Sequence, residues 1–338
     1  MTRTHRPGLA ALLAITLSAC TAAPQAATQP ATQAAPAALL LVGNKGEDTV
    51  SFIDLGSGAE LARTPTSHRA PHEIAVSPDQ ARAAVVNYGD NAIDIFDIAS
   101  RAVVDTVDLG TNTRPHGIAW LGDGRIVATT EGGRSVVELV PEGEAFRVRS
   151  VPTDADGTHM LAANAAGTLA WTANLGDRTV SRIDLAAGRV THTVTAGTEP
   201  EGIDLSGDET ELWVSSRGSN EVHVFDASTM RELATIPVGR FPLRLLISPD
   251  GRLAATSNLQ DGSVTLIDTE SREVVRTVPV SGTPVSQQVT LLWSGDGSRL
   301  FVAETGTDTV AELDVARGEV VRRIAVGDQG DGLAIVER

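Results

Sequence analysis

The sequence predicts an all-β chain folded as a seven-bladed β-propeller of four-stranded blades. Three observations support this prediction. A pattern of two short apolar runs joined by a polar turn occurs seven times along the chain. The pattern returns every 42 to 46 residues, which is typical of a repeat array. The apolar runs are rich in Val, Ile and Ala and show no helical period, so they predict strands.

Each repeat contains two anchor residues ten positions apart, which end two successive apolar runs. The seven pairs are Asn44 and Asp54, Asn87 and Asp97, Thr130 and Val140, Asn174 and Asp184, Ser216 and Asp226, Asn258 and Asp268, and Glu304 and Asp314. The anchors of a pair flank a polar turn such as "NYGDN" or "NLGDRT", which predicts a hairpin connection. The second anchor is Asp in six pairs, and we expect its carboxylate to accept backbone N–H groups and start a turn.

The second repeat shows the four strands most clearly. They read "HEIAVS", "RAAVVN", "AIDIFD" and "AVVDTVDL". With seven such units, each blade covers the apolar face of its neighbour. The first repeat begins at "LLLVGN" and lacks an innermost strand, whereas residues 331–338, "DGLAIVER", match one. We therefore expect the C-terminal strand to complete the N-terminal blade and close the ring.

The N-terminal region predicts export and lipidation. Residues 1–19 combine two arginines with a short apolar run, which is typical of a signal peptide and too short for a permanent membrane span. The sequence "LSAC" ending at Cys20 resembles the lipobox of bacterial lipoproteins, which implies cleavage before Cys20 and lipid attachment to its sulfur. The alternative is an ordinary signal peptide with a chance cysteine. Residues 20–38, made of Ala, Thr, Gln and Pro after the cysteine, predict a disordered tether, and residues 39–338 form the propeller.

Charge and sorting signals restrict the partners. The formal net charge is −16, and Lys45 is the single lysine, so a nucleic acid partner is not expected. Thr21, rather than Asp, follows Cys20, which resembles the pattern that sends lipoproteins to the outer membrane. We therefore expect a monomer anchored to the membrane by its lipid, facing the periplasm from the outer membrane or exposed at the cell surface.

Two segments carry a resemblance to a known family. "LLLVGNKGEDTVSFIDLGSG" and "AWTANLGDRTVSRIDLAAG" resemble the YVTN-type β-propeller repeats of exported bacterial and archaeal surface proteins. The resemblance covers about residues 39–338. It implies the fold and leaves the function open, because the family includes proteins with no assigned activity. The architecture is also similar to that of lactonases and of propeller domains in haem, copper and quinoprotein enzymes, which is analogy only.

A Pro-His motif starts two of the predicted inner strands. "APHEIAVSPD" and "RPHGIAWLGD" are followed by the related segments "GTHMLAANAAG" and "EPEGIDLSGD". Around the ring the position of His72 is filled by His72, His116, His159, Glu201, Leu243, Val289 and Asp331. Closure places Asp331 beside His72, so polar side chains distant in sequence are expected to converge at one mouth of the central channel. A one-residue bulge would place Gln288 rather than Val289 in this register.

The polar part of this set permits two interpretations. His72, His116, His159, Glu201 and Asp331 suit a divalent transition metal such as Zn²⁺, Cu²⁺ or Fe²⁺, on which an open position could activate water. Alternatively, Pro-His only starts an inner strand, and each imidazole bonds a neighbouring backbone carbonyl.

Further candidates for ligand binding project from the same predicted face: Tyr88, Glu131, Arg217, Arg244 and Glu304. The sequence contains no Walker A loop, G-x-S-x-G, H-E-x-x-H or G-x-G-x-x-G motif. The first functional hypothesis is therefore a lipid-anchored binding scaffold for an envelope protein, a glycan or a small ligand. The alternative is a metal-dependent hydrolase or lactonase centred on His72, His116, His159 and Glu201.

Overall fold

A computed structural model of the protein describes residues 1–2, 38–143 and 145–337. These residues form seven antiparallel sheets of four strands each, so the predicted seven-bladed propeller is confirmed. The predicted signal peptide, Cys20 and nearly all of the tether lie outside the described residues. No helix among the described residues is long and apolar enough to cross a membrane.

The strands are given blade by blade, from the channel outwards. The second blade contains β4 (Pro71–Val76), β5 (Arg82–Asn87), β6 (Ala92–Asp97) and β7 (Ala102–Asp108). The third contains β8 (Pro115–Trp120), β9 (Ile126–Thr130), β10 (Ser135–Glu142) and β11 (Ala145–Pro152). The fourth contains β12 (Thr158–Ala163), β13 (Leu169–Asn174), β14 (Thr179–Asp184) and β15 (Arg189–Thr195).

The remaining blades follow the same order. The fifth contains β16 (Pro200–Leu205), β17 (Glu211–Ser216), β18 (Glu221–Asp226) and β19 (Glu232–Pro237). The sixth contains β20 (Pro242–Ile247), β21 (Leu253–Asn258), β22 (Ser263–Asp268) and β23 (Val274–Pro279). The seventh contains β24 (Gln288–Trp293), β25 (Arg299–Glu304), β26 (Thr309–Asp314) and β27 (Glu319–Ala325), with short 3₁₀ turns at Pro284–Ser286 and Thr305–Thr307.

The first blade joins the two ends of the chain. It contains β28 (Gly330–Glu337), β1 (Ala38–Asn44), β2 (Thr49–Asp54) and β3 (Glu60–Pro65). β28 pairs antiparallel with β1, with Leu40 opposite Ile335. Leu333 packs with Phe301 of the seventh blade in one apolar cluster. The predicted closure of the ring by the C-terminal strand is therefore confirmed.

Apolar side chains between the blades form the core. Seven hydrophobic clusters are found among the described residues, and each combines side chains of two neighbouring blades. Aliphatic residues dominate these clusters, with a few large aromatic residues such as Trp171 and Trp213. Each sheet thus loses its exposure to water by packing on the next one, which makes the stability of one blade depend on both neighbours.

The Asp anchors act as the sequence predicts. The carboxylate of Asp226 accepts the backbone N–H groups of Ser228 and Thr229 at 3.1 and 2.7 Å. These hydrogen bonds, that of Thr229 first, lower the pKa of Asp226 to about 2. The turn between the third and fourth strand of the blade is therefore held by a charged acceptor.

A β-bulge occurs in every inner strand and positions the side chains of the channel. In the second blade Pro71 lies opposite Asn87 and Ile74 opposite Val85, so His72 and Glu73 share one partner position. The other six inner strands carry the same irregularity at the matching place. A bulge of this kind turns a side chain that regular alternation would direct elsewhere. Each blade can therefore present two consecutive residues at one end of the channel.

Candidate functional site

The first residue of each bulge lies at the channel mouth. These residues are His72, His116, His159, Glu201, Leu243, Val289 and Asp331, and all seven line one cavity of about 470 Å³. Gln288 lies opposite Glu304 in the ladder, and its amide donates to the Ser263 carbonyl at 3.3 Å. The register left open by the sequence is thus occupied by Val289.

Three imidazoles stand side by side at this mouth. The ring centres of His72 and His116 are 4.2 Å apart, and those of His116 and His159 are 3.7 Å apart. All three side chains are more than nine-tenths buried. Tyr88 contacts the first two rings edge-on, with ring centres 5.6 Å from His72 and 5.4 Å from His116. The structure therefore brings together the three histidines that the sequence placed in one register.

Each of these imidazoles has one buried nitrogen with no hydrogen-bond partner among the described residues. The atoms are His72 Nδ1, His116 Nδ1 and His159 Nε2. The alternative interpretation required each ring to bond a backbone carbonyl, and these nitrogens do not. Buried polar atoms in native proteins are usually paired, and three unpaired nitrogens on adjacent rings are donors that a ligand could use.

The histidines differ in their protonation. Burial, and next the neighbouring His159, hold the pKa of His116 well below its ordinary value, so its ring is neutral at physiological pH. Burial also acts to lower the pKa of His159, but contacts with Glu131 and Glu201 outweigh it and raise that pKa. His159 Nδ1 lies 2.5 Å from Glu131 Oε1, and His159 Nε2 lies 3.3 Å from Glu201 Oε1.

Arg244 crosses the channel and joins two acidic residues. Its guanidinium donates to Glu73 of the second blade at 2.7 Å and to Glu201 of the fifth blade at 2.8 Å. Glu201 also accepts from Arg217 at 2.7 Å through its other oxygen. Burial would raise the pKa of Glu201, but His159 and the two arginines lower it to about 2. Burial would also raise the pKa of Glu73, but Arg244 and His72 together lower it.

Asp331 is held on the opposite side of His72. It accepts from Thr290 at 2.8 Å, pairs with Lys45, and lies 3.4 Å from His72 Nε2. Burial opposes its ionisation, yet His72, Lys45 and Arg244 together hold the pKa of Asp331 well below its usual range. The carboxylates proposed from sequence as metal ligands, Glu201 and Asp331, are therefore already engaged by cations.

Two overlapping groups bring potential metal ligands together. One contains His72, Glu73 and His116, and the other contains His116, Glu131 and His159. In each group one ligand atom per residue lies within 4.8 Å of the other two. In both groups the carboxylate comes from a residue other than Glu201 and Asp331.

The cavity has two unlike walls. The histidines and Tyr88 form one wall, and Phe241, Leu243, Leu259 and Val289 form the other. Lys45 and Arg217 stand at the rim, where their side chains keep 25% and 22% of their exposure. Asp331 and Glu201, which pair with them, are almost fully buried, whereas Glu199, 3.6 Å from Arg217, is partly exposed. The mouth thus shows cations and apolar surface to the solvent.

One predicted ligand-binding residue lies elsewhere. Glu304 is buried and pairs with Arg323, and both line a separate cavity beside the 3₁₀ turns. The reason is its register: Glu304 ends β25 as Asn87 ends β5, whereas Tyr88 and its equivalents come one residue later. A shift of one residue turns a strand side chain to the other side.

Three residues of the site were not predicted from the sequence. Glu73 directly follows His72 in the bulge, and Lys45 follows its anchor as Tyr88 follows Asn87. The signal for Lys45 was therefore available from the repeat register. Arg114 pairs with Glu131 at 2.7 Å, with its guanidinium 4.8 Å from the ring centre of Tyr88.

The family of the chain follows from a family model. The model of the YNCE-like beta-propeller matches residues 4–338. The chain belongs to the YNCE-like β-propeller family. No curated protein sequence matches it. Among solved structures, a functionally unknown protein from Desulfotomaculum acetoxidans DSM 771 is similar, with a TM-score of 0.74 and 15% identity over 88% of this chain and 99% of that one.

A second solved structure is an enzyme. Dihydro-heme d1 dehydrogenase NirN in complex with DHE is similar with a TM-score of 0.64 and 19% identity, over 88% of this chain and 65% of that one. Identities this low show the fold alone. The function of the chain is therefore inferred from the residues at its own channel mouth.

The buried ion pairs of Arg244 predict that replacing this residue strongly destabilises the fold. We expect Arg244→Met to lower the free energy of unfolding by about 3–5 kcal/mol, because Glu73 and Glu201 lose a buried partner. The matched control is Arg147→Met, since Arg147 pairs with Glu142 at the surface and both are more than half exposed. Its expected cost is about 0–1 kcal/mol. Urea denaturation measures both, and equal costs would show that the cross-channel bridge does not stabilise the fold.

Proposed function

We propose that the protein is a binding protein of the cell envelope that holds a small amphipathic anion in the channel-mouth cavity. The observation that carries the proposal is the pairing of cations and acids at the mouth. The exposed cations are Lys45, Arg217 and Arg114, and each has a buried carboxylate partner, while Arg217 also lies 3.6 Å from the partly exposed Glu199. A ligand entering the cavity therefore meets positive charge first and an apolar wall behind it.

The net charge of the chain does not oppose this assignment. At −16 the protein repels anions at long range. At physiological ionic strength, however, exposed charges are screened beyond about 8 Å. Local cations at the rim therefore decide the attraction inside the cavity.

The chemistry of the site favours binding over the hydrolase alternative. Glu201 is the carboxylate of the hydrolase hypothesis, but Arg244 and His159 contact one of its oxygens and Arg217 holds the other. A pKa of about 2 makes it a weak proton acceptor, whereas an efficient general base titrates near the working pH. The residues that line the cavity, as far as the structure describes them, include no serine, threonine or cysteine nucleophile.

The cavity can be tested with the fluorescent amphipathic anion 1-anilinonaphthalene-8-sulfonate. We expect one dye to bind per chain and to gain fluorescence at the apolar wall. Leu259 is part of that wall and belongs to a turn after β21, so it tolerates polar replacement. Leu259→Asp should weaken dye binding about tenfold or more, because it adds a negative charge near the sulfonate.

The matched control is Leu259→Asn, which has the same size without the charge. It should change the affinity by no more than about threefold. Fluorescence titration at fixed ionic strength measures both variants. Equal affinities for the Asp and Asn variants would place the dye outside this cavity and contradict the proposal.

Membrane attachment through Cys20 is part of the proposal. It rests on the lipobox-like sequence that ends at this cysteine, the single one in the chain. A tether of about eighteen residues would let the propeller stand off the lipid surface, facing the periplasm from the outer membrane or exposed to the medium.

The anchor makes its own prediction. Cys20→Ser should move the protein from the membrane fraction to the soluble fraction, because the sulfur that carries the lipid is lost. The melting temperature of the propeller should not change, since Cys20 precedes the first strand. Fractionation followed by immunoblotting measures this, with Ser18→Ala as the control that keeps the cysteine. Membrane association of Cys20→Ser equal to that of the control would contradict lipidation.

A further inference from the structure

We propose that His72, Glu73 and His116 form a site for one divalent transition metal at the inner end of the channel-mouth cavity. This inference does not depend on the anion proposal, because it uses the imidazole wall rather than the rim and the apolar wall. The preferred ions are those that take imidazole and carboxylate together, with Zn²⁺ and Fe²⁺ first.

The donor atoms are available in the structure. His72 Nδ1 and His116 Nδ1 are buried and have no hydrogen-bond partner among the described residues. The distance from His72 Nδ1 to Glu73 Oε1 is 3.6 Å. Two ligands of one zinc ion lie about 3.3 Å apart when each bond is about 2.0–2.1 Å, so the Glu73 carboxylate already lies close to where a second ligand is needed.

Glu73 supplies the negative charge. Both hydrogen bonds from Arg244 to this carboxylate end on Oε1. The other oxygen therefore remains for a metal. The positive charge of Arg244 acts against a second cation nearby, but Arg244 also pairs with Glu201. Asp331, on the far side of His72, adds a further negative charge.

Asp331 has the position of a partner that orients a metal ligand. It lies 3.4 Å from His72 Nε2, on the opposite side of the ring from Glu73. A carboxylate there keeps the proton on Nε2 and leaves the lone pair on Nδ1. Thr290 and Lys45 in turn fix Asp331. An Nε2 proton held by Asp331 gives the tautomer that a metal at Nδ1 requires.

The second group, His116 with Glu131 and His159, is a poorer site. His159 Nδ1 already bonds Glu131 at 2.5 Å, and Glu131 also accepts from Tyr88 and Arg114. Binding a metal there would break these contacts, whereas neither Nδ1 atom of the first group makes a hydrogen bond to the described residues. The unpaired donors select His72, Glu73 and His116.

Three protein ligands leave at least one coordination position free. His72 and His116 line the cavity and Glu73 does not, so Glu73 lies on the deeper side. The free position is reached from the cavity. A bound metal can therefore take a water or a ligand donor atom from that side.

Cobalt(II) is the probe for this site, because its visible absorption reports the coordination number and the ligands. Full-length protein, purified without a histidine tag and stripped with a chelator, is titrated with Co²⁺. We expect one ion per chain with the spectrum of a four- or five-coordinate site. His72→Ala and His116→Ala should each weaken binding by about a hundredfold or more. Where an Ala variant does not fold, the Gln variant replaces it.

Two controls separate this assignment from its alternatives. His192 is exposed on β15, and His192→Ala should leave Co²⁺ binding unchanged. His159→Ala should change the affinity by no more than about threefold, while Asp331→Asn should weaken it about 10–100-fold and alter the spectrum through His72. Retention of binding in His72→Ala together with loss in His159→Ala would overturn the assignment. Six-coordinate binding that no histidine substitution affects would overturn the site altogether.

Discussion

The pairing of β28 with β1 is the interaction on which both the ring and the channel mouth depend. It supplies the inner strand of the first blade from the other end of the chain, so that all seven inner strands surround one axis. It also brings Asp331 to within 3.4 Å of His72, about 260 residues earlier in the chain. Close packing accompanies the closure, because a Cβ atom at Gly332 would collide with the backbone oxygen of His72. Without this strand the site would lose both an acidic group and one side of its wall.

Burying so many charges has an energetic cost, and the protein meets it by pairing. Glu201 and Glu73 share Arg244, and Asp331 has Lys45 and Thr290. Buried ion pairs of this kind contribute little net stability compared with apolar side chains of equal volume, because desolvation offsets the attraction. What they provide is a fixed arrangement of groups. Beside these paired charges, His72 Nδ1 and His116 Nδ1 are buried without a hydrogen-bond partner among the described residues, and they are the chemical basis of the metal site we infer.

Repetition made most of the fold predictable from sequence. The ten-residue spacing of the anchors located the central hairpin of each blade, and the Asp anchors predicted turns such as the one at Asp226. The same register predicted that His72, His116 and His159 would meet. It could not reveal that two consecutive residues of one bulge enter the channel, so Glu73 was missed and Arg244 was predicted on the mouth face without its acidic partners. The pairing of Arg244 with Glu73 spans 171 positions in sequence and arises only from the closed geometry of the ring. Glu304 was misplaced because a strand side chain changes side with every residue, and the anchors themselves are one position away from the mouth.

In the proposed metal site, the bulged inner strands bring His72, Glu73 and His116 around one metal position. The most direct measurement is an anomalous difference map, collected at the zinc absorption edge from crystals of the full-length protein grown with one equivalent of Zn²⁺. We expect one dominant peak about 2.0–2.2 Å from His72 Nδ1 and His116 Nδ1, with a Glu73 oxygen at the same distance. A map with no peak at the channel mouth, and zinc bound only to surface carboxylates, would contradict it.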